Sequence, residues 1–149
     1  MATLEKVREL VGGEHGLAVV VTARADGTPQ ATVVNAGVLD HPVSGAPVVG
    51  YVVRGATRKA ANLRRLPRST VVFRVGWDWV ADEGPVDLAG PDDPLEGFDP
   101  ARVPELLRAV FRSAGGTHDD WDEYDRTMAA ERRTAVLVAP ERVYSNPGT

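Results

Sequence analysis

Between positions 54 and 74 the sequence carries seven cations and no acid: Arg54, Arg58, Lys59, Arg64, Arg65, Arg68 and Arg74. The densest part is Arg54-Gly55-Ala56-Thr57-Arg58-Lys59, where an apolar run ends and a helical pattern begins. The first turn of a helix leaves backbone N–H groups unpaired and carries partial positive charge, so it attracts anions. Gly55 lets the chain bend there, and Thr57 offers a hydroxyl. Arg58 and Lys59 add two cations of different geometry, a planar fork and a mobile point charge. Together these residues could cradle a phosphate. The plain alternative is that Arg58, Lys59, Arg64 and Arg65 decorate a solvated helix. The glycine pattern and GK[ST] order of a P-loop are absent.

The elements that must position this cradle follow from hydrophobic periodicity. Leu4, Val7, Leu10 and Val11 recur at helical spacing behind Thr3, and Gly12-Gly13 stops that helix. Residues 17–23 read as a β-branched strand, and Asp26-Gly27 is a hairpin signal returning the chain through residues 30–39. A third strand covers residues 47–53. Ala60, Leu63 and Leu66 then mark a helix over residues 57–66 that Pro67 ends. Residues 69–80 read as one strand with Val71, Phe73, Val75, Trp77 and Trp79 on one face, and residues 84–89 as its partner. Asp99-Pro100 opens another helix through Leu106, Leu107, Val110 and Phe111, closed by Gly115-Gly116. A helix with Trp121, Tyr124 and Met128 on one face spans residues 117–132, and residues 134–144 close the chain as a strand broken at Pro140. Six strands with small helices between them favour a mostly β, six-stranded antiparallel barrel in a single domain covering residues 1–149.

Composition bounds the function. The 149 residues are 43% hydrophobic and 26% charged, as in ordinary globular proteins. Without cysteine there is no disulfide framework and no thiolate metal site. No stretch is long and apolar enough for a signal peptide or a membrane span, so a cytoplasmic location is the expectation. The net charge of −4 sets the basic block within an otherwise acidic chain, with eight acids and no base at positions 78–99. Such a field admits a small anion and repels nucleic acid. His118, Asp119, Asp120 and Asp122 lack calcium-loop spacing, so no metal is expected, and Asp119-Asp120 reads as helix N-terminal charge. His15, His41 and His118 lie beside turns and read as surface residues. Basic residues are almost all arginine, which points to a GC-rich source genome.

The stretch Thr57-Arg58-Lys59-Ala60-Ala61-Asn62-Leu63-Arg64-Arg65-Leu66-Pro67-Arg68 resembles the [ST]-R-K-x-x-N-L-x-x-x-P-R signature of the pyridoxamine 5′-phosphate oxidase-like, FMN-binding split-barrel family. Asp26-Gly27-Thr28-Pro29 and Ala139-Pro140-Glu141-Arg142-Val143-Tyr144 fit the same pattern, so the resemblance covers nearly the whole chain. The short chain and residues 115–124 (GGTHDDWDEY) look most like the actinobacterial branch that uses the deazaflavin coenzyme F-420.

The resemblance implies a split β-barrel, a homodimer with cofactor sites at the subunit interface, and coenzyme F-420 as cofactor, with FMN as the alternative. Carried over by position, Arg58 and Lys59 would bind cofactor phosphate with Thr57 in support and Arg54 nearby. Val52 and Val53 would flank the ligand. Thr32, Val33, Val34 and Asn35 would line its ring. Apart from the resemblance, Trp77 and Trp79, on one strand face, read as barrel core or as an aromatic wall near the ring. FMN-using oxidases of the family tend to have arginine where this chain has Thr32 and lysine where it has Gly37. The implied activity is hydride transfer to a small conjugated organic substrate, with no catalytic residue named. An FMN-dependent oxidase or reductase, or a non-catalytic protein that binds a flavin, deazaflavin or haem-like ligand, are the other readings.

Overall fold

Two long strands bend, and their bends make the fold. The computed structural model describes residues 2–146 and has seven strands and four short α-helices among them. The strands are β1 (Leu17–Ala23), β2 (Pro29–Asp40), β3 (Pro47–Val53), β4 (Arg68–Val75), β5 (Asp78–Ala89), β6 (Thr134–Val138) and β7 (Arg142–Ser145). All pairings are antiparallel, in the order β4-β1-β2-β3-β6-β5-β7, and β5 also pairs with β4. Strands β1 to β6 therefore close a barrel, and β7 is added along β5.

Strand β2 pairs with β1 from Pro29 to Asn35, then with β3 from Ala36 to Asp40. Strand β5 pairs with β4 through Pro85, then with β6 from Val86. At its bend, a Cβ on Gly84 would lie 2.1 Å from the Ala139 carbonyl oxygen, so only glycine lets the chain cross between β6 and β7. The barrel is split at these two places. The interior holds Val20, Val49, Tyr51, Val53, Val71, Phe73, Val80 and Val136. Helix α1 (Leu4–Val11) adds Leu4, Val7 and Leu10 to that core, and its Thr3 hydroxyl caps the first turn by accepting from the Glu5 N–H.

Helix α3 (Val103–Ser113) and helix α4 (Trp121–Ala130) build a second apolar cluster against the outside of the barrel. Asp120 caps α4 by accepting from Glu123 N–H, as its position before Trp121 predicts. Tyr124 is buried, donates to the Leu107 carbonyl at 3.2 Å and packs on Phe111, so it joins α4 to α3.

One expected strand divides into two. Residues 69–80 do not run straight: Gly76 and Trp77 form a tight turn between β4 and β5, with Gly76 at φ +61 and Val75 opposite Asp78. Trp77 is consequently 92% exposed at the turn, not on the face of Val71 and Phe73. Trp79 lies opposite Arg74 on the outer face of the barrel and packs edge-on against Tyr144. The alternation was read correctly but carried across a turn whose only signal was Gly76. Among the described residues, no helix is long and apolar enough to cross a membrane.

Candidate functional site

The barrel opens where β2 leaves β3. Tyr51 opposes Ala36, but beyond that pair Val34 and Asn35 go with β1, whereas Val52 and Val53 pair only with β6. A recess of about 460 Å³ occupies this opening, within the usual range for small-molecule sites. Val33, Val34 and Asn35 line one side and Val52, Val53 and Arg54 the other. Val110, Phe111, Tyr124 and Met128 of α3 and α4 roof it, and Thr57, Lys59 and Arg133 close the remaining end.

Helix α2 (Arg58–Arg65) starts at this end. Thr57 is its N-cap: the hydroxyl oxygen accepts from Ala60 N–H (3.2 Å), and the hydroxyl donates to the Arg54 carbonyl (2.9 Å). Its one proton is thus committed within the turn, so Thr57 shapes the cradle and does not donate to a ligand. The N–H groups of Arg58 and Lys59, in the first turn, have no intrahelical acceptor. Lys59 reaches back across the opening and donates from Nζ to Thr32 Oγ1 at 3.0 Å. Burial, and then the charge of Arg133, push the Lys59 pKa below the ordinary lysine range.

Seven of the ten residues expected at the site line the recess: Val33, Asn35, Val52, Val53, Arg54, Thr57 and Lys59. Thr32 stands beside them through its bond to Lys59. Arg58 is exposed and outside the lining, and Trp79 is on another part of the barrel surface. The rest of the basic block is structural. Arg64 makes a bidentate pair with Asp93 (2.8 Å each) and donates to the Gly55 carbonyl at 2.8 Å. Arg65 bonds the Ala23 carbonyl and Asn62, Arg68 bonds Glu141, and Arg74 donates to the Gly76 carbonyl. Part of the acidic stretch is answered in this way: Asp93 by Arg64 and Asp92 by Arg132.

The sequence reading missed Arg133, Val110, Phe111, Tyr124 and Met128 as lining residues. Arg133 stands just past α4 and two residues from Glu131, with which it pairs, and no local motif singles it out. His41 is also corrected. It is only 9% exposed, its Nε2 lies 2.8 Å from Asp87 Oδ2, and its Nδ1 accepts the N–H groups of Val43 and Ser44. It fastens the β2–β3 turn. His118 stacks beside Trp121 and Tyr124.

Gly37 and Thr32 each have a physical reason in the fold. Gly37 lies under the end of α3, where a Cβ would sit 2.2 Å from the Ser113 carbonyl oxygen, so no lysine fits. Thr32 provides the neutral acceptor for Lys59, a place where an arginine would add a like charge.

No protein-family model matches the sequence. Solved structures do share its fold. An F-420 reductase is 15% identical, with 92% of this chain and 94% of that one aligned and a TM-score of 0.61. A pyridoxamine 5′-phosphate oxidase-related, FMN-binding protein of Nostoc punctiforme is 14% identical over 95% and 79% of the two chains, TM-score 0.63. A haem storage protein of Vibrio cholerae is 12% identical over 97% and 94%, TM-score 0.57. The chain therefore has the split-barrel fold of the pyridoxamine 5′-phosphate oxidase-like proteins. Identities this low show the fold alone, and the three similar proteins are named for three different ligands.

Proposed function

We propose that the recess binds a flavin-type cofactor, coenzyme F-420 in the first place and FMN as the alternative. In this reading the protein is an oxidoreductase that passes a hydride to a small conjugated organic substrate. The observation that carries the proposal is the division of one recess into two chemistries. Arg54, Lys59 and Arg133 gather at one end, and Val33, Val34, Val52, Val53, Val110 and Phe111 form apolar walls. A planar ring whose side chain carries a phosphate matches both. The preference for the deazaflavin rests on the sequence resemblance and on Thr32 and Gly37.

The cofactor, when bound, supplies the hydride chemistry. The chain's residues have the other tasks. Lys59 and Arg54 hold negative charge. The valines and Phe111 keep water from the ring. Asn35 is fixed by its own bond, donating from Nδ2 to the His15 carbonyl at 2.9 Å, which leaves its side-chain oxygen for a ring N–H.

Fluorescence titration of the purified protein with coenzyme F-420 and with FMN tests the assignment. Saturable binding of the deazaflavin, and its reoxidation by a panel of enones and quinones, is the expected result. A yellow protein with a flavin spectrum on purification would move the assignment to FMN. Binding without reoxidation would leave a cofactor-binding protein, and binding of neither would overturn the proposal.

A further inference from the structure

The cationic end of the recess contains its own anion. Glu131, the residue that ends α4, accepts from Arg133 through Nε at 3.0 Å and through a terminal nitrogen at 2.9 Å. Its second carboxylate oxygen pairs with Arg54. The side chains of Glu131 and Arg133 are only 23% and 24% exposed. The backbone holds the bridge in place: Gly55 N–H points at the Glu131 carbonyl (3.4 Å), and a Cβ on Gly55 would lie 2.6 Å from the Arg132 carbonyl oxygen. One carboxylate thus spans from the β3–α2 turn to the α4–β6 turn across the end of the recess.

The charges around that carboxylate do not balance. Arg54, Lys59 and Arg133 line the recess, and Glu131 is the acid paired with two of them. Among the described residues Lys59 has only the neutral Thr32 hydroxyl. Like charges crowded in a half-buried place repel, and an incoming anion relieves that repulsion.

We propose that Arg133 is an anion-binding residue of the recess and that Glu131 is a built-in counter-anion, held between Arg54 and Arg133 until a ligand phosphate or pyrophosphate displaces it. The inference rests on the cofactor reading and deepens its FMN form, because the displacing group would be the terminal phosphate of that cofactor. It also sets a charge filter. A singly charged carboxylate offers the arginines no more than Glu131 already gives, and Glu131 is tethered at high effective concentration. A phosphate monoester such as that of FMN, with charge of about −1.5 to −2 and three acceptor oxygens, can satisfy Arg54, Arg133 and Lys59 together, whereas a singly charged phosphodiester such as that of coenzyme F-420 gains less from displacing Glu131.

Calorimetric titration at low salt tests this with inorganic pyrophosphate as the probe and acetate as the singly charged control. The unaltered protein should bind pyrophosphate and not acetate. Glu131→Gln keeps a hydrogen-bonding side chain but removes the charge, and should tighten pyrophosphate about fivefold. Arg133→Ala should weaken it about tenfold, with Arg133→Lys between the two. The gain from Glu131→Gln should vanish in the Arg133→Ala background. If Glu131 only positioned the arginines, Glu131→Gln would weaken pyrophosphate. Weaker or unchanged binding in that variant, with circular dichroism and melting showing an intact fold, overturns the proposal. So does an Arg133→Ala protein of undiminished affinity, or a failure of the unaltered protein to bind pyrophosphate. Parallel titrations with the two cofactors separate the readings. FMN binding that ignores both substitutions sinks the counter-anion alone. Pyrophosphate effects without cofactor binding sink the cofactor reading alone.

Discussion

Lys59 brings a charge into a half-buried position where one neutral hydroxyl holds it, whereas Arg58, one residue earlier, points to solvent. Their substitutions should therefore differ. Lys59→Ala is expected to weaken cofactor binding by about 1–3 kcal/mol, the scale of a charged hydrogen bond, and Arg58→Ala by clearly less. Fluorescence titration of both variants checks the order, and an Arg58→Ala effect equal to that of Lys59→Ala would contradict it. The signature around these two residues was legible because glycine, threonine and two cations meet at a helix start. Their unequal burial was not, since it depends on where β2 passes. A second residue left no sequence signal at all. Asp82 faces the barrel interior between Val71 and Val143, is fully buried, and neither carboxylate oxygen has a hydrogen-bond partner among the described residues. Burial, with Glu83 next to it, pushes its pKa up to about 7. The protonated acid is thus the form the fold accommodates. No stability is lost below the unfolded-state value of about 4, and the cost grows as pH rises to about 7 and then levels off. Asp82→Leu should raise stability at pH 8 by about 1–4 kcal/mol and flatten its dependence between pH 4 and 7. Urea melts across that range measure both effects, and a variant with the unaltered pH profile would show that Asp82 does not titrate there.

At the scale of elements, the recess depends on how closely α3 lies on β2. Gly37 opposes Gly50 in the β2–β3 pair, and the end of α3 rests directly on Gly37. A methyl group there meets backbone atoms of Ser113 and Ala114 at 2.2–2.7 Å, which no rotamer can relieve. Gly37→Ala should push α3 outward, cost about 2–4 kcal/mol and loosen the roof formed by Val110 and Phe111. Thermal unfolding with parallel cofactor titration tests this, and undiminished stability would mean that α3 sits farther from the sheet. Most elements could be read from the sequence, because period-two and helical spacing are local properties. Strands β1 and β3 and helix α1 fall where their patterns put them, and β6 and β7 are separated at Pro140 as expected. The bends could not be read. That β2 changes partner at Asn35 and β5 at Pro85 follows from closing the barrel, and these long-range pairings are what create the recess.

For the whole molecule, apolar residues pair in a row across five strands on the outer face of the barrel, exposed at Val33, Val19 and Tyr144 and covered at Ala81. Val33, Val19, Val72, Ala81 and Tyr144 are successive partners across β2, β1, β4, β5 and β7. Leu17, Val19, Val33 and Tyr144 are each at least 40% exposed, and together they make up most of the exposed large apolar side chains among the described residues. A clustered apolar face of this kind marks an interaction surface, where scattered single residues would not. Val33 belongs both to this row and to the recess. We propose that a second copy of the chain covers the face and so completes the wall of the recess, the homodimer that the sequence resemblance implies. Trp79 stands on the same outer face, so any cofactor contact it makes would reach across to the other copy's recess. Leu17→Asp and Val19→Asp test this without altering the recess lining. Each side chain is partly exposed in the single chain, so folding should weaken by only about 1 kcal/mol per substitution. Analytical ultracentrifugation should show twice the monomer mass for the unaltered protein and the monomer mass for the double variant. Cofactor affinity should fall with dissociation, because one wall of the recess leaves with the partner. An unaltered protein that sediments as a monomer at all concentrations would refute the dimer, and a monomeric double variant with full cofactor affinity would show that each recess is complete on its own.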